Sequence, residues 1–225
     1  MMRDRLHKDI THHVSRFTTM HSPLDRDLAR RIGPVKAARL YSNIVSPPVM
    51  FAVLGLILAL TALPNWQGWA WAAIYGFFIS LLPILFVLYL LRRGIISELH
   101  MSDTRERHLP YISAVLSALF AYGLVQWLNG PPLLACLTLF NTIELAALGA
   151  INVFWLISLH STAVAAVTII VGLVYGWGYA LLLIPLVLSV CYVRLYLRRH
   201  TLGQVLAGLG LGVASVLSLT LIGCW

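Results

Sequence analysis

Seven apolar runs constrain this chain more than any other feature. They cover roughly residues 48–64, 69–91, 111–128, 133–156, 161–176, 179–197 and 202–223. A helix needs about 20 mostly apolar residues to cross the hydrocarbon core of a bilayer. The fifth run is short for that task. The breaks between runs carry turn chemistry at Pro64-Asn65, at Asn129-Gly130-Pro131-Pro132 and at Gly176-Trp177-Gly178. The alternating pattern of a membrane β-barrel is absent from the sequence. The expected fold is therefore all-α, a polytopic membrane bundle of six to seven spans. Hydrophobic residues make up 60% of the 225, and only 11% are charged. Soluble domains carry about 25% charged residues. The mean hydropathy of +0.85 points the same way. A soluble globular enzyme, a disordered chain and a nucleic-acid-binding module are excluded, despite a formal net charge of +8.

The location of that charge sets domain organisation and orientation. Residues 1–47 hold 9 Lys/Arg and 4 Asp/Glu, and residues 48–225 hold only 7 and 4. The chain reads as a basic juxtamembrane segment, 1–47, followed by a transmembrane domain, 48–225. One set of connections contains the N-terminal segment, Arg92 to Arg107, the link at 157–161, and Arg198-Arg199. The alternate set contains 65–68, 129–132, 176–178 and Cys224-Trp225, with no charged side chain at all. By the positive-inside rule the first face is cytoplasmic. Trp66, Trp69, Trp71, Trp127 and Trp177 lie near the uncharged face and fit an interfacial aromatic belt.

Met1 to Val45 contains no continuous apolar core of the kind a secretory signal requires. Arg26, Arg30, Arg31, Lys36 and Arg39 alternate with Leu24, Leu28, Ile32, Val35 and Leu40. That pattern fits either a surface-lying helix that attracts anionic head groups or a generic positive flank. His7, His12, His13 and His21 are scattered and read as solvated. Cys136, Cys191 and Cys224 sit in or at the end of apolar runs and read as small packing residues. No metal-ligand spacing occurs, so no metal or cofactor is expected.

Polar residues are costly in a membrane, so those retained at span ends are site candidates. Three clusters stand out: Glu98 to Pro110, Ser158 to Thr162, and Arg194 to Gln204. Pairs of spans separate them, so all three return to one face. Arginine forks suit phosphate oxygens, and histidines serve as nucleophile or general acid. The combination points to an anionic, phosphate-bearing substrate at the membrane surface.

The third cluster reads Val193-Arg194, five residues, His200, three residues, Gln204. It resembles the Ser-Arg, five residues, His, three residues, Asp signature of the type 2 phosphatidic acid phosphatase superfamily. These are integral-membrane lipid phosphatases related to vanadium haloperoxidases. Ile157-Ser158-Leu159-His160 resembles that family's Pro-Ser-Gly-His. Arg107 with Pro110, preceded by His100, resembles its Lys, six residues, Arg-Pro. The resemblance covers roughly residues 95–215. It is closest to a divergent bacterial branch with an extra pair of spans between the first and second motifs and Gln in place of the last Asp. It implies a membrane protein of the bacterial cytoplasmic membrane that hydrolyses a phospho- or diphospho-lipid of isoprenoid, polyprenyl or phosphatidate type. In that reading His200 is the nucleophile and forms a phosphohistidine. His160 is the general acid, and Arg107, Arg194 and Ser158 hold the phosphoryl oxygens. Arg105 is the candidate substitute for the missing Lys.

The departures bear on rate. An Asp at position 204 would accept the Nδ1 proton of His200; Gln204 offers an amide oxygen from the same helical face but no charge. In a serine protease, replacing the orienting Asp with Asn lowers turnover about 10⁴-fold. Leu159 replaces a glycine before His160. A second reading is therefore kept, a catalytically inactive phosphate-lipid binder or transport protein. The partners in both readings are membrane lipids. Glu144 lies mid-span between Asn141 and Asn152, roughly 20 Å from the His160 end. It reads as an interhelical bond or as part of a transport or proton relay. Gly208 and Gly212 form a small-xxx-small face for close helix packing.

Overall fold

In a computed structural model the described residues are 23–25, 32–97 and 105–225, with Arg105 described for its backbone alone. The four N-terminal histidines, Arg26, Arg30, Arg31, His100 and the Arg105 side chain lie outside them. The described residues form helices joined by short turns, with no strand among them. The expected all-α polytopic architecture is met. Among the described residues six helical segments are long and apolar enough to cross a membrane: Gly33–Ala62, Trp66–Arg92, His108–Trp127, Pro132–Asn152, Trp177–Tyr196 and Leu202–Thr220. The chain is an integral membrane protein.

Prolines divide the first two spans. Helix α1, Gly33–Ile44, ends before Ser46, whose ψ of 153° is the extended setting that a following proline imposes. Helix α2, Pro47–Ala62, restarts with proline in its first turn, where no N–H is needed. Helix α3, Trp66–Gly76, begins on an Asn65 side chain that accepts from Gln67 N at 2.8 Å. It passes through a widened π turn at Phe77–Leu81 into α4, Leu82–Arg92. Pro83 has no N–H and its ring crowds the carbonyl four residues earlier, which accounts for the widened turn at that place.

Helices α5, His108–Trp127, and α6, Pro132–Asn152, pack side by side as a hairpin. Helix α7, Leu159–Tyr175, corresponds to the short fifth run and is the most enclosed helix of the bundle. At 17 residues it is about 25 Å long, and protein rather than lipid surrounds most of it. Helices α8, Trp177–Leu182, and α9, Ile184–Tyr196, together make the next crossing, broken at Pro185. Helix α10, Leu202–Thr220, completes the bundle against α7.

The α7–α10 contact is the most extensive between helices, and two glycines permit it. A Cβ on Gly208 would stand 2.7 Å from the Ser158 carbonyl oxygen. One on Gly212 would be closer still to the Thr162 carbonyl. The small-xxx-small face is thus a packing face.

The cysteines correct the sequence reading. Cys136 and Cys224 are joined in a disulfide, with their Cα atoms 5.4 Å apart, and only Cys191 is a free thiol. Apolar neighbours and a separation of 88 residues conceal the pairing in the sequence. The chain doubles back so that its C-terminus meets the start of α6, at the end of the bundle where the loops are uncharged.

Candidate functional site

The opposite end of the bundle gathers the polar clusters. His200 lies in the turn between α9 and α10, and Arg194 is in the last turn of α9. Arg198 takes a positive φ of 54°, which lets the chain reverse within five residues. The backbone N–H of Arg199 then bonds back to the Arg194 carbonyl at 3.1 Å. This hairpin brings Arg194 and His200 to one side. The Arg194 guanidinium donates from Nη2 to His200 Nε2 at 3.4 Å.

The other ring nitrogen settles the tautomer. His200 Nδ1 lies 3.2 Å from the carbonyl oxygen of Leu156, which only accepts, so Nδ1 carries the proton and donates. Nε2 then presents its lone pair. His200 is buried, and burial holds its pKa well below the usual imidazole value. The positive charges of Arg194 and then Arg107 push it further down, against the opposing hydrogen bonds from Leu156 and Gln204. The imidazole is neutral at physiological pH, with Nε2 as its basic atom.

Gln204 adds a second task to its hydrogen bond with His200. Its Oε1 accepts from Thr201 N at 3.0 Å, while its own N–H donates to Thr201 Oγ1 at 3.4 Å. That reciprocal pair is a capping box at the start of α10. The Leu156 carbonyl accepts from Nδ1, and the Gln204 side chain also hydrogen-bonds the His200 ring while its amide oxygen caps its own helix terminus. Ser158 is likewise a cap. Its Oγ accepts from Ser161 N at 3.3 Å and from Ser161 Oγ at 2.9 Å, with the residue fully buried.

His160 stands in the first turn of α7, and Ser42 connects it to Arg194. His160 Nε2 lies 3.1 Å from the Ser42 carbonyl and 3.3 Å from its hydroxyl. The same hydroxyl accepts from Arg194 Nη1 at 3.0 Å. Arg107, at the end of the short helical turn Arg105–Arg107, hydrogen-bonds Tyr111 and lies within electrostatic reach of both His200 and Arg194. The structure thus brings His200, His160, Arg194, Arg107, Ser158 and Gln204 to one end.

Two participants are absent from the sequence reading. Ser42 is the one buried residue of α1. Asp25 is fully buried and forms an ion pair with Arg199, Nε to Oδ1 at 2.8 Å, and with Arg39 at 3.5 Å. The Leu24 N–H also bonds to the Leu197 carbonyl at 3.1 Å, tying this stretch to the His200 turn. Helix α1 exposes Leu40 and Ile44 and turns Tyr41 and Ser42 inward, where Tyr41 bonds Ser189 of α9. Asp25 and helix α1 are therefore part of the site's wall. A small polar residue at the one buried position of α1 is the signal that would have found Ser42.

The electrostatics favour an anion. Arg194 is 5% exposed, its direct partners Ser42 and His200 are neutral, and its Nε has no hydrogen-bond partner among the described residues. A buried guanidinium without a carboxylate of its own is costly unless a ligand completes it. Among the described residues no three His, Cys, Asp or Glu side chains gather to hold a metal ion. No protein family, no curated protein and no solved structure matches this chain.

Proposed function

We propose that this protein is a membrane-embedded lipid phosphatase acting on a phospho- or diphospho-lipid of isoprenoid, polyprenyl or phosphatidate type through a phosphohistidine. The observation that carries the reading is the Arg194–His200 pair, a neutral imidazole whose Nε2 lone pair faces a buried guanidinium. A phosphoryl group bound by Arg194 would be placed beside that lone pair.

In this mechanism Arg194 and Arg107 hold the phosphoryl oxygens and offset the charge that spreads over them in the transition state. His200 Nε2 attacks phosphorus as the bond to the leaving lipid oxygen breaks. The new P–N bond leaves His200 as a phosphohistidine whose positive charge the Leu156 carbonyl and Gln204 stabilise. His160 gives its proton to the leaving alkoxide or phosphate. It then takes a proton from water, whose oxygen attacks phosphorus, releases inorganic phosphate and restores His200. Ser42 sets the position of His160 relative to Arg194, and Ser158 and Gln204 hold the helix ends that carry the two histidines.

In this reading the site faces the cytoplasm, which the shared end of the arginine-bearing connections supports. The Cys136–Cys224 disulfide at the far end supports this orientation, since disulfides persist on the oxidising side of a membrane. One observation favours the second reading, a non-catalytic binder or transporter. Both carboxylate oxygens of Glu144 are buried with no hydrogen-bond partner among the described residues, near Tyr75 and Tyr111.

The deciding experiment is phosphate release by the purified protein from polyprenyl diphosphate, polyprenyl phosphate, phosphatidate and phosphatidylglycerol phosphate, with His200→Ala alongside. Release that is lost in His200→Ala while lipid binding persists is expected. Full turnover by His200→Ala would reject the mechanism, and no release from any substrate would favour the binder.

A further inference from the structure

Arg107 stands at the head of a groove that the phosphatase motifs do not include. The groove runs down the seam between α5 and α6. At its head is a cavity of about 80 Å³ lined by Arg107, Tyr111 and Asn152. It continues as an apolar cavity of about 250 Å³ lined by Val115, Leu116, Leu145 and Ala146. The two cavities share Tyr111, Ile112 and Gly149. Small residues create the space: Ala146 and Ala150 are exposed on the outer face of α6, and Gly149 lets the Tyr111 side chain lie against the helix backbone.

The polar end is built rather than incidental. Asn152 is 2% exposed and donates from Nδ2 to the Tyr111 hydroxyl at 2.8 Å. Its Oδ1 is buried with no hydrogen-bond partner among the described residues. An unpartnered amide oxygen and an arginine thus meet at the head of an apolar trough on the lipid-facing side of two membrane helices. Water is a poor occupant of the lower part, which has almost no polar group to bind it. A hydrocarbon chain matches the lower part, and an anionic phosphate matches Arg107.

We propose that the α5–α6 groove binds one hydrocarbon chain of an anionic phospholipid whose phosphate rests on Arg107. This deepens the function proposed above and rests on Arg107 being a phosphate ligand, but not on the chemistry at His200. Arg107 lies within electrostatic reach of His200, so a lipid seated in this way presents its phosphate to the site while its chain stays in the membrane. A free phosphate would use only the head of the groove.

The test is native mass spectrometry of the purified full chain with dioleoyl phosphatidate, with dioleoyl phosphatidylcholine and with inorganic phosphate. Ala146→Phe and Ala150→Phe fill the groove from its outer wall, and Leu119→Phe alters an exposed side chain elsewhere on α5. Phosphatidate affinity should fall at least tenfold in the two alanine variants and remain at the wild-type level in Leu119→Phe. Inorganic phosphate binding should not follow the same pattern. Unchanged phosphatidate binding in both alanine variants would overturn the inference. Should those variants fail to fold, phosphatidate carrying a mid-chain diazirine should crosslink the wild-type protein at Val115, Leu116 or Leu145, and crosslinks confined to other helices would overturn it. Absence of phosphate release with groove binding intact would reject the phosphatase and leave the groove standing.

Discussion

Arg194 donates through Nη2 to Nε2 of His200 across 3.4 Å, so the arginine suited to hold a phosphate also orients the nitrogen suited to attack it. The five-residue interval between them is what the tight reversal after α9 requires. The helix has to end, Arg198 has to take a left-handed φ, and the chain has to enter α10 through the Thr201 cap. The geometry at the two side chains is therefore inseparable from the turn that joins α9 and α10.

Ser42 is the first residue to test, since it joins His160 to Arg194 across three helices. In Ser42→Ala the guanidinium loses a hydrogen bond while remaining buried, which costs about 1–3 kcal/mol. The His160 ring also loses one of its two contacts to residue 42. Turnover should fall about 10- to 100-fold, in keeping with partial loss of a positioned acid. Phosphate-release kinetics check this, and Ser42→Thr, which keeps the hydroxyl, should restore most of the rate.

Asp25 should matter to stability more than its place in a basic segment implies. It is fully buried against Arg199, whose side chain is 4% exposed. Removing one partner of such a pair leaves a buried charge and typically costs about 3–5 kcal/mol. Asp25→Asn should lower the thermal midpoint in detergent, and Asp25→Asn with Arg199→Gln should recover part of the loss. An unchanged midpoint in Asp25→Asn would count against the burial of this pair.

These two residues also mark the limit of what the sequence makes legible. Charge parity along the apolar runs predicts that the clusters at Arg107, His160 and His200 share one end of the bundle, because each returns after an even number of crossings. The roles of Ser42 and Asp25 depend on where the N-terminal stretch packs, and no local pattern encodes that. The Leu156 carbonyl is invisible for another reason: a backbone acceptor has no side-chain signature. Cys136 and Cys224 look like packing residues because their neighbours are apolar. Their pairing is a consequence of how α6 and the C-terminus meet.

Acid should destabilise the site through His200. Its folded-state pKa is depressed, chiefly by burial. The unfolded chain takes up the proton near pH 6.5, while the folded protein resists it. Stability from this group is complete above that pH and declines as the pH falls below it, by up to about 1.4 kcal/mol per unit. Thermal midpoints from pH 7.5 to pH 5 should fall more steeply for the wild type than for His200→Gln. Parallel curves would remove His200 as the cause.

The disulfide should act on stability and leave turnover alone, because it sits at the end of the bundle away from His200. It closes a loop with a sequence separation of 88 residues. Loss of a native disulfide typically costs about 2–5 kcal/mol. Cys136→Ser should therefore lower the thermal midpoint and leave kcat on the best substrate within about twofold. A large loss of turnover with an unchanged midpoint would contradict this separation.

Gly208 offers the sharpest separation of packing from chemistry. Helix α10 carries His200 at its entrance and α7 carries His160 at its start, and their spacing is set where Gly208 meets the Ser158 carbonyl. A Cβ at residue 208 would lie 2.7 Å from that oxygen and 3.1 Å from Thr162 Oγ1. One of these partners is backbone, so the helices must part rather than a side chain rotate. Overpacking of this kind costs about 1–3 kcal/mol, which a bundle of this size tolerates. The displacement falls at the mouth of the site, where Ser158 caps α7 and its N–H bonds to the Gln204 carbonyl at 3.2 Å. Gly208→Ala should thus lower turnover by at least tenfold while the protein remains folded. Gly210→Ala, on the same helix with open space around it, should keep wild-type turnover and gain slightly in stability from the better helix former. Equal turnover in the two variants would show that the spacing of α7 and α10 does not set the geometry of His160 and His200.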